Sequence, residues 1–102
     1  MFKMDIKELQ KKSDEIIDKM DEKFNCKHSI NNTFMHLIEE VGEVADELNK
    51  PNIRGKEIDK KELGKELADV IMFLSRLASL NEIDLEEAIE GKINELTERF
   101  KL

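Results

Sequence analysis

The chain has 102 residues, of which 40% are charged and 39% hydrophobic, and its formal net charge is -7. A chain of this length has room for one small core, so we expect a single domain over residues 1–102. The acidic excess disfavours nucleic-acid binding, because that affinity comes from clustered lysine and arginine. No stretch approaches the ~20 apolar residues that cross a bilayer, so we expect no membrane association either.

The single cysteine and the N-terminal residues indicate in which cellular compartment we expect the protein. Cys26 has no second cysteine with which to form an intramolecular disulfide, which is typical of a reducing environment. The first residues lack the apolar run of a signal peptide. We therefore expect a soluble, cytoplasmic protein.

Apolar residues recur at helical spacing in the first half of the chain, which predicts two helices. The first covers residues 5–25 and the second residues 29–48. The second helix has Ser29 or Asn31 as its candidate N-cap. Pro51 should end it in a loop, because proline cannot donate the next helical hydrogen bond.

The second half of the chain predicts two more helices. One covers residues 60–78, with the most apolar face of the chain, and the other covers residues 84–100. Asp84 is the candidate N-cap of the last helix, and Glu87 stands at the capping-box position. With one proline and no tryptophan or tyrosine, the composition also favours helices over sheet. The predicted fold is an all-α four-helix bundle.

The apolar faces of the second and third predicted helices are too long for so short a chain to cover by itself. Apolar faces of this size are usually covered by another copy of the chain. We therefore expect a homodimer or a dimer of dimers.

Two acidic pairs, Glu40 with Glu43 and Glu66 with Asp69, lie at i, i+3 spacing within the apolar patterns of these two helices. That spacing places each pair on one side of its helix. Antiparallel packing, which a short connection favours, would turn both pairs toward one cleft. Four carboxylates there would need a cation, and all-oxygen ligation favours Mg²⁺, or Mn²⁺, over zinc.

A solvated helix face is the other interpretation of these acids, because glutamates at such spacing are common on helix surfaces. Solvated faces, however, usually interleave basic residues for support at i, i+4. Residues 36–48 contain no lysine or arginine, which favours the metal site.

The sequence EEVGE at residues 39–43, followed by ELAD at residues 66–69, resembles the EExxE and ExxD signature of the MazG-like all-α nucleoside triphosphate pyrophosphohydrolases. The resemblance extends over nearly the whole chain. It implies an oligomeric MazG-like bundle that hydrolyses nucleoside triphosphates to a nucleoside monophosphate and pyrophosphate, in order to remove unwanted nucleotides.

By the same resemblance, the acids receive individual roles. Glu40, Glu43, Glu66 and Asp69 would ligate Mg²⁺. Glu39, the first acid of the motif, would act beside the ligands or as the base that orients water. A metal that bridges phosphate oxygens offsets the charge that develops in phosphoryl transfer.

Residues outside the acidic motifs would contact the substrate. Lys92 and Arg99 resemble a C-terminal lysine and arginine-aromatic motif that would steady the phosphates. Leu96 departs from the asparagine often found four residues after that lysine. Phe24 and His28 resemble residues of the nucleobase pocket, where Phe24 could stack on the base.

Two alternatives stand beside this interpretation. Phosphoribosyl-ATP pyrophosphohydrolase shares the bundle and an acidic motif, but its second motif continues with a histidine where this chain has residues 70–73, VIMF. A non-catalytic helical oligomerisation module is the other alternative. His36 has a side chain suited to metal ligation but no partner histidine or cysteine nearby, so we assign it no role.

Overall fold

The computed structural model describes residues 4–102, and this part of the chain forms five helices and no strand. The predicted all-α class is confirmed. The predicted long helices correspond to the four long helices of the structure, and one short helix is added between the second and third. The helices are α1 (Ile6–Lys23), α2 (Ile30–Leu48), α3 (Lys50–Ile53), α4 (Lys60–Leu80) and α5 (Leu85–Phe100).

A side-chain cap begins each of the four long helices. Asp5 accepts a hydrogen bond from the backbone N–H of Glu8 at 2.8 Å. Ser29 and Asp84 accept the corresponding bonds from Asn32 and Glu87, each at 3.1 Å. Asp59 accepts two backbone N–H bonds at the start of α4. These bonds satisfy N–H groups that have no partner inside the helix. The predicted caps Ser29 and Asp84 are confirmed.

The short helix α3 lies in the segment that the sequence predicts as a loop. Asn49 caps the end of α2 through its N–H to Ala45, and a new turn begins directly at Lys50. Pro51 stands in the first turn of α3, where its missing N–H has no helical partner to lose. The prediction of an uninterrupted loop was wrong, because proline favours a helix start as much as it ends a helix.

Helix α4 is the centre of the fold. Both α1 and α2 pack against it, and α5 packs against α1 and α4. In the described part of the chain, the backbones of α1 and α2 do not approach each other closely. The α1–α4 interface buries small side chains, among them Ser13, Ser75 and Ala78. Small residues allow the two helices to approach closely, and the acids of α2 meet α4 at Glu66 and Asp69.

A polar network also ties α1 to α4. Arg76 contacts Asp14 at 3.2 Å and Asp18 at 2.6 Å. The Ser79 hydroxyl donates to Asp14 at 2.7 Å, and the Gln10 amide donates to the Ser79 hydroxyl at 2.9 Å. Every charge in this network has an opposite charge or a donor beside it. None of the helices within residues 4–102 combines the length and the apolar character that crossing a membrane requires.

Candidate metal centre and nucleotide pocket

The packing face of α2 carries Glu40 into the interface with α4. Thr33, Leu37 and Glu47 on this helix are all buried, and Glu40 follows Leu37 by three residues on the same face. The Glu40 side chain is only 12% exposed. The face of α2 that buries Leu37 therefore also takes this carboxylate out of water.

The structure brings the four predicted ligands together. Glu40 and Glu43 come from α2, and Glu66 and Asp69 come from α4. Each offers one carboxylate oxygen, and these four oxygens all lie within 4.8 Å of one another. Two i, i+3 pairs on packed helices thus form one all-oxygen cluster.

Two oxygens of this cluster are buried without a partner. Oε2 of Glu40 and Oε2 of Glu66 accept no hydrogen bond. Among the described residues, no lysine or arginine forms an ion pair with any of the four acids. Buried carboxylate oxygens in this state are costly. The donor set fits a hard divalent cation such as Mg²⁺, which would satisfy the buried oxygens and offset the charge.

The proton affinity of the cluster reflects the crowding of negative charge. A hydrogen bond shared with Glu43 raises the pKa of Glu66 to about 7, with further contributions from burial and from repulsion by Glu43, Asp69 and Glu62. Burial, and then repulsion by Glu43 and Asp69, raises the pKa of Glu40, against the opposing effect of His36. Glu40 and Glu66 therefore lose their protons at a higher pH than isolated glutamates do.

His36 orients Glu40 from one turn earlier in α2. Its Nε2 lies 3.0 Å from Oε1 of Glu40, and its ring stacks on the ring of Phe73 with centroids 4.0 Å apart and an interplanar angle of 15°. Sequence reasoning assigned neither residue a role. The available signal was helical spacing, because His36 precedes Glu40 by four residues and Phe73 follows Asp69 by four.

The two predicted nucleobase contacts lie next to this stacked pair. Phe24 and His28 line a small, mainly apolar cavity of about 80 Å³ together with His36 and Phe73. The ring of His28 is 5.5 Å from that of His36 and 6.2 Å from that of Phe73, tilted against both. Aromatic surface therefore adjoins the carboxylate cluster through the contact between His36 and Glu40.

With this geometry established, comparison with known proteins identifies the family. A family model described as the MazG nucleotide pyrophosphohydrolase domain matches residues 28–101. The chain belongs to the MazG family. No curated protein and no solved structure matches the chain. The matched range contains both acidic motifs, whereas α1 precedes it.

The first acid of the MazG-like motif lies apart from the other four. Glu39 is exposed and lines a cavity of about 350 Å³ whose walls include Asn32, Met35 and His36. One residue along a helix is a rotation of about 100°, so Glu39 and Glu40 point in different directions. Glu39 therefore faces the open cavity, and Glu40 faces the interface with α4.

The two predicted phosphate contacts lie on α5. Lys92 forms an ion pair with Glu95 at 3.4 Å, and the Arg99 guanidinium lies 5.2 Å from the ring centroid of Phe100. Because α5 packs against α1 and α4 but, among the described residues, not against α2, these cations do not join the carboxylate cluster within one chain.

A cation that sequence reasoning missed lies closer to the acids. Lys50 forms an ion pair with Glu47, a side chain that is only 3% exposed. Both residues line a cavity of about 160 Å³ with Glu43, Glu62 and Glu66. The sequence signal was weak, because Lys50 stands in the segment predicted to be a loop.

Proposed function

We propose that this MazG-family chain is a Mg²⁺-dependent enzyme that hydrolyses ribo- and deoxynucleoside triphosphates to a nucleoside monophosphate and pyrophosphate, and so removes unwanted nucleotides. The observation that carries the proposal is the carboxylate cluster. Its four oxygens lie within 4.8 Å of one another, and two of its carboxylates have a buried oxygen without a partner. This arrangement fits the activity that the family description states.

Glu40, Glu43, Glu66 and Asp69 would hold the Mg²⁺. Bound there, Mg²⁺ supplies charge neutralisation for the phosphate oxygens and lowers the pKa of water. A chain with a net charge of -7 needs such a bridge, because its own acids repel a polyphosphate. His36 would keep Glu40 in its ligating orientation through the 3.0 Å contact.

The hydrolysis breaks the bond between the α-phosphorus and the oxygen that bridges to the β-phosphate. Water supplies the new oxygen on the α-phosphorus, and pyrophosphate leaves with the bridging oxygen. Glu39, which is exposed to the larger cavity, would accept a proton from that water. Phe24 and His28 would contact the base, and Lys92 and Arg99 remain the proposed phosphate contacts.

We also propose that the working form is a homodimer or a dimer of dimers. The chain exposes 8133 Å², whereas a compact monomer of 11.9 kDa exposes roughly 5,900 Å². Its radius of gyration is 16.3 Å, against about 13 Å for a compact domain of this length. A second copy would cover the apolar surface that α2 and α4 leave half exposed, formed by Phe34, Ile38, Val41, Leu67, Ile71 and Leu74.

Light scattering after size exclusion tests the dimer. We expect at least twice the mass of one chain for the wild type and a single-chain mass for Ile38→Glu, because a buried charge at an interface is costly. Ile53→Glu is the matched control, since Ile53 is 75% exposed on α3 and lies outside this surface. A monomeric wild type would refute the oligomer and leave the activity to be tested separately.

An assay of nucleotide products tests the activity. The protein is incubated with Mg²⁺ and a panel of ribo- and deoxynucleoside triphosphates, together with phosphoribosyl-ATP, and pyrophosphate and monophosphate are quantified. We expect equal amounts of both products from at least one nucleoside triphosphate. Glu66→Gln should lose this turnover, whereas Glu90→Gln, an exposed acid on α5, should retain it.

Other outcomes of this assay count against the proposal. Turnover of phosphoribosyl-ATP alone would assign the chain to that reaction instead. No turnover of any nucleotide by folded, Mg²⁺-saturated protein would favour the non-catalytic oligomerisation module.

A further inference from the structure

A second group of metal-ligating side chains lies where α1 ends and the chain approaches α2. Asp21, Cys26 and His28 each offer one donor atom, and the three atoms lie within 4.8 Å of one another. Nδ1 of His28 is 2.9 Å from Oδ1 of Asp21, and Sγ of Cys26 is 3.4 Å from the same oxygen. None of these residues belongs to the carboxylate cluster.

The backbone holds this group in place. Asn25 adopts the left-handed conformation, with φ of 51°, which asparagine tolerates better than most residues. The chain therefore turns back over the last turn of α1, and the N–H of Cys26 bonds to the carbonyl oxygen of Asp21 at 2.9 Å. His28 is fixed on the other side by the adjacent Ser29 cap. The three donors thus converge because of local backbone structure.

The donor types differ from those of the carboxylate cluster. A thiolate, an imidazole and a carboxylate suit a borderline metal such as Zn²⁺ or Co²⁺ in tetrahedral geometry, whereas Mg²⁺ prefers oxygen ligands alone. The cavity of about 350 Å³ that Cys26 and His28 line leaves room for a fourth ligand such as water. Cys26 is exposed, so an ion can reach the thiol from solvent.

We propose that Asp21, Cys26 and His28 form a binding site for a borderline divalent transition metal, of which Zn²⁺ is the chief candidate. The ion joins the end of α1 to the start of α2, two helices whose backbones do not approach each other closely among the described residues. It therefore stabilises the α1–α2 connection. This site goes beyond the proposed hydrolysis. It shares His28 with the proposed base contacts, but its test measures metal binding and does not depend on the hydrolysis.

Co²⁺ titration of the intact, reduced protein tests the site, because a thiolate bound to Co²⁺ gives a charge-transfer band in the near ultraviolet. The chain has no tryptophan or tyrosine and a single cysteine, so this band reports on Cys26 against a clear background. Excess Mg²⁺ is included to occupy the carboxylate cluster. We expect a band that saturates at one Co²⁺ per chain and disappears when Zn²⁺ is added.

The variants distinguish a metal site formed by all three residues from metal binding by the Cys26 thiol alone. Cys26→Ser should abolish the band, and Asp21→Asn and His28→Gln should weaken Co²⁺ binding at least about 10-fold. Removing a residue that only hydrogen-bonds to a metal ligand already weakens binding by about this factor, so removing a ligand should weaken it at least as much. The matched controls are Glu22→Gln, an exposed acid beside Asp21, and Glu66→Gln, and both should keep the wild-type titration.

The proposal is overturned if folded wild-type protein gives no band with excess Co²⁺, or if Asp21→Asn and His28→Gln titrate like the wild type. Alkylation of Cys26 provides a second measurement that needs only Zn²⁺. Zn²⁺ should slow the alkylation of the wild type at least about 10-fold by ligating the thiolate and should have little effect on His28→Gln. Equal rates with and without Zn²⁺ in the wild type would likewise refute the site.

Discussion

The two faces of α4, one toward α1 and one toward α2, treat acids in opposite ways. On the α1 side, Arg76 lies against Asp14 and Asp18, so the acids are neutralised by a cation of the chain itself. On the α2 side, four acids converge with no lysine or arginine paired to them among the described residues. The first face carries its own cation, whereas the second has none among the described residues and would be neutralised by a cation from solution. This difference separates a structural ion pair from a candidate metal centre.

The largest effect is expected from Asp69→Asn. The change removes one predicted ligand while preserving size, so turnover of the nucleotide substrate should fall on the order of 100-fold or more, as for other losses of transition-state electrostatics. Circular dichroism should remain helical. Asp14→Asn on the other face of α4 is the matched control, and it should retain turnover per folded molecule. Equal activity of Asp69→Asn and the wild type would remove Asp69 from the site.

Arg76→Met should have the opposite effect to Asp69→Asn, because it should lower stability rather than turnover. The Arg76 side chain is 14% exposed, and its loss leaves Asp14 and Asp18 without their partner, at a cost of about 1–3 kcal/mol in the free energy of unfolding. Urea unfolding measures this loss, and added Mg²⁺ should not reverse it. Lys65→Met is a suitable control, because Lys65 is 65% exposed and its pairing with Glu62 at 4.0 Å is worth little.

His36→Gln should have a smaller effect, confined to the metal face. The histidine is not one of the four predicted ligands but contacts Glu40 at 3.0 Å, so its loss should weaken Mg²⁺ binding about 10-fold. The concentration of Mg²⁺ that gives half-maximal turnover measures this change. Saturating Mg²⁺ should restore most of kcat, whereas it should not restore Asp69→Asn. An unchanged Mg²⁺ dependence would show that the contact with Glu40 is incidental.

The sequence predicted the parts of this comparison that depend on spacing along one helix. The i, i+3 acids, the Ser29 and Asp84 caps and the all-α class follow from helical periodicity and capping chemistry. The contact between His36 and Phe73 was missed because it joins α2 to α4, and periodicity on one helix does not show which side chain it meets. That Glu39 and Glu40 point in different directions does follow from helical rotation. The family resemblance nevertheless led us to group the two residues, because they are adjacent in the same motif.

The arrangement around α4 was beyond sequence reasoning for a similar reason. Nothing local in the sequence indicates that α1 and α2 both pack on α4 while their own backbones stay apart. The neutralisation of Asp14 by Arg76 depends on that arrangement, since the two residues are 62 positions apart. The contrast between the two faces of α4 therefore became visible only in three dimensions.

The smallest effect expected is a pH dependence of stability that Mg²⁺ alters. Without metal, the pKa of Glu66 is raised to about 7 in the folded chain, above that of an unfolded glutamate, so the native state binds more protons between these two values. Stability should therefore be highest near the unfolded value and fall as the pH rises toward 7. In EDTA, the melting temperature should drop over this range in the wild type and much less in Glu66→Gln.

Because Mg²⁺ competes with protons for the same carboxylates, it should raise the melting temperature more at pH 8 than at pH 5. A Mg²⁺ effect equal at both pH values would mean that the ion binds somewhere other than the face of α4 that lacks its own cation.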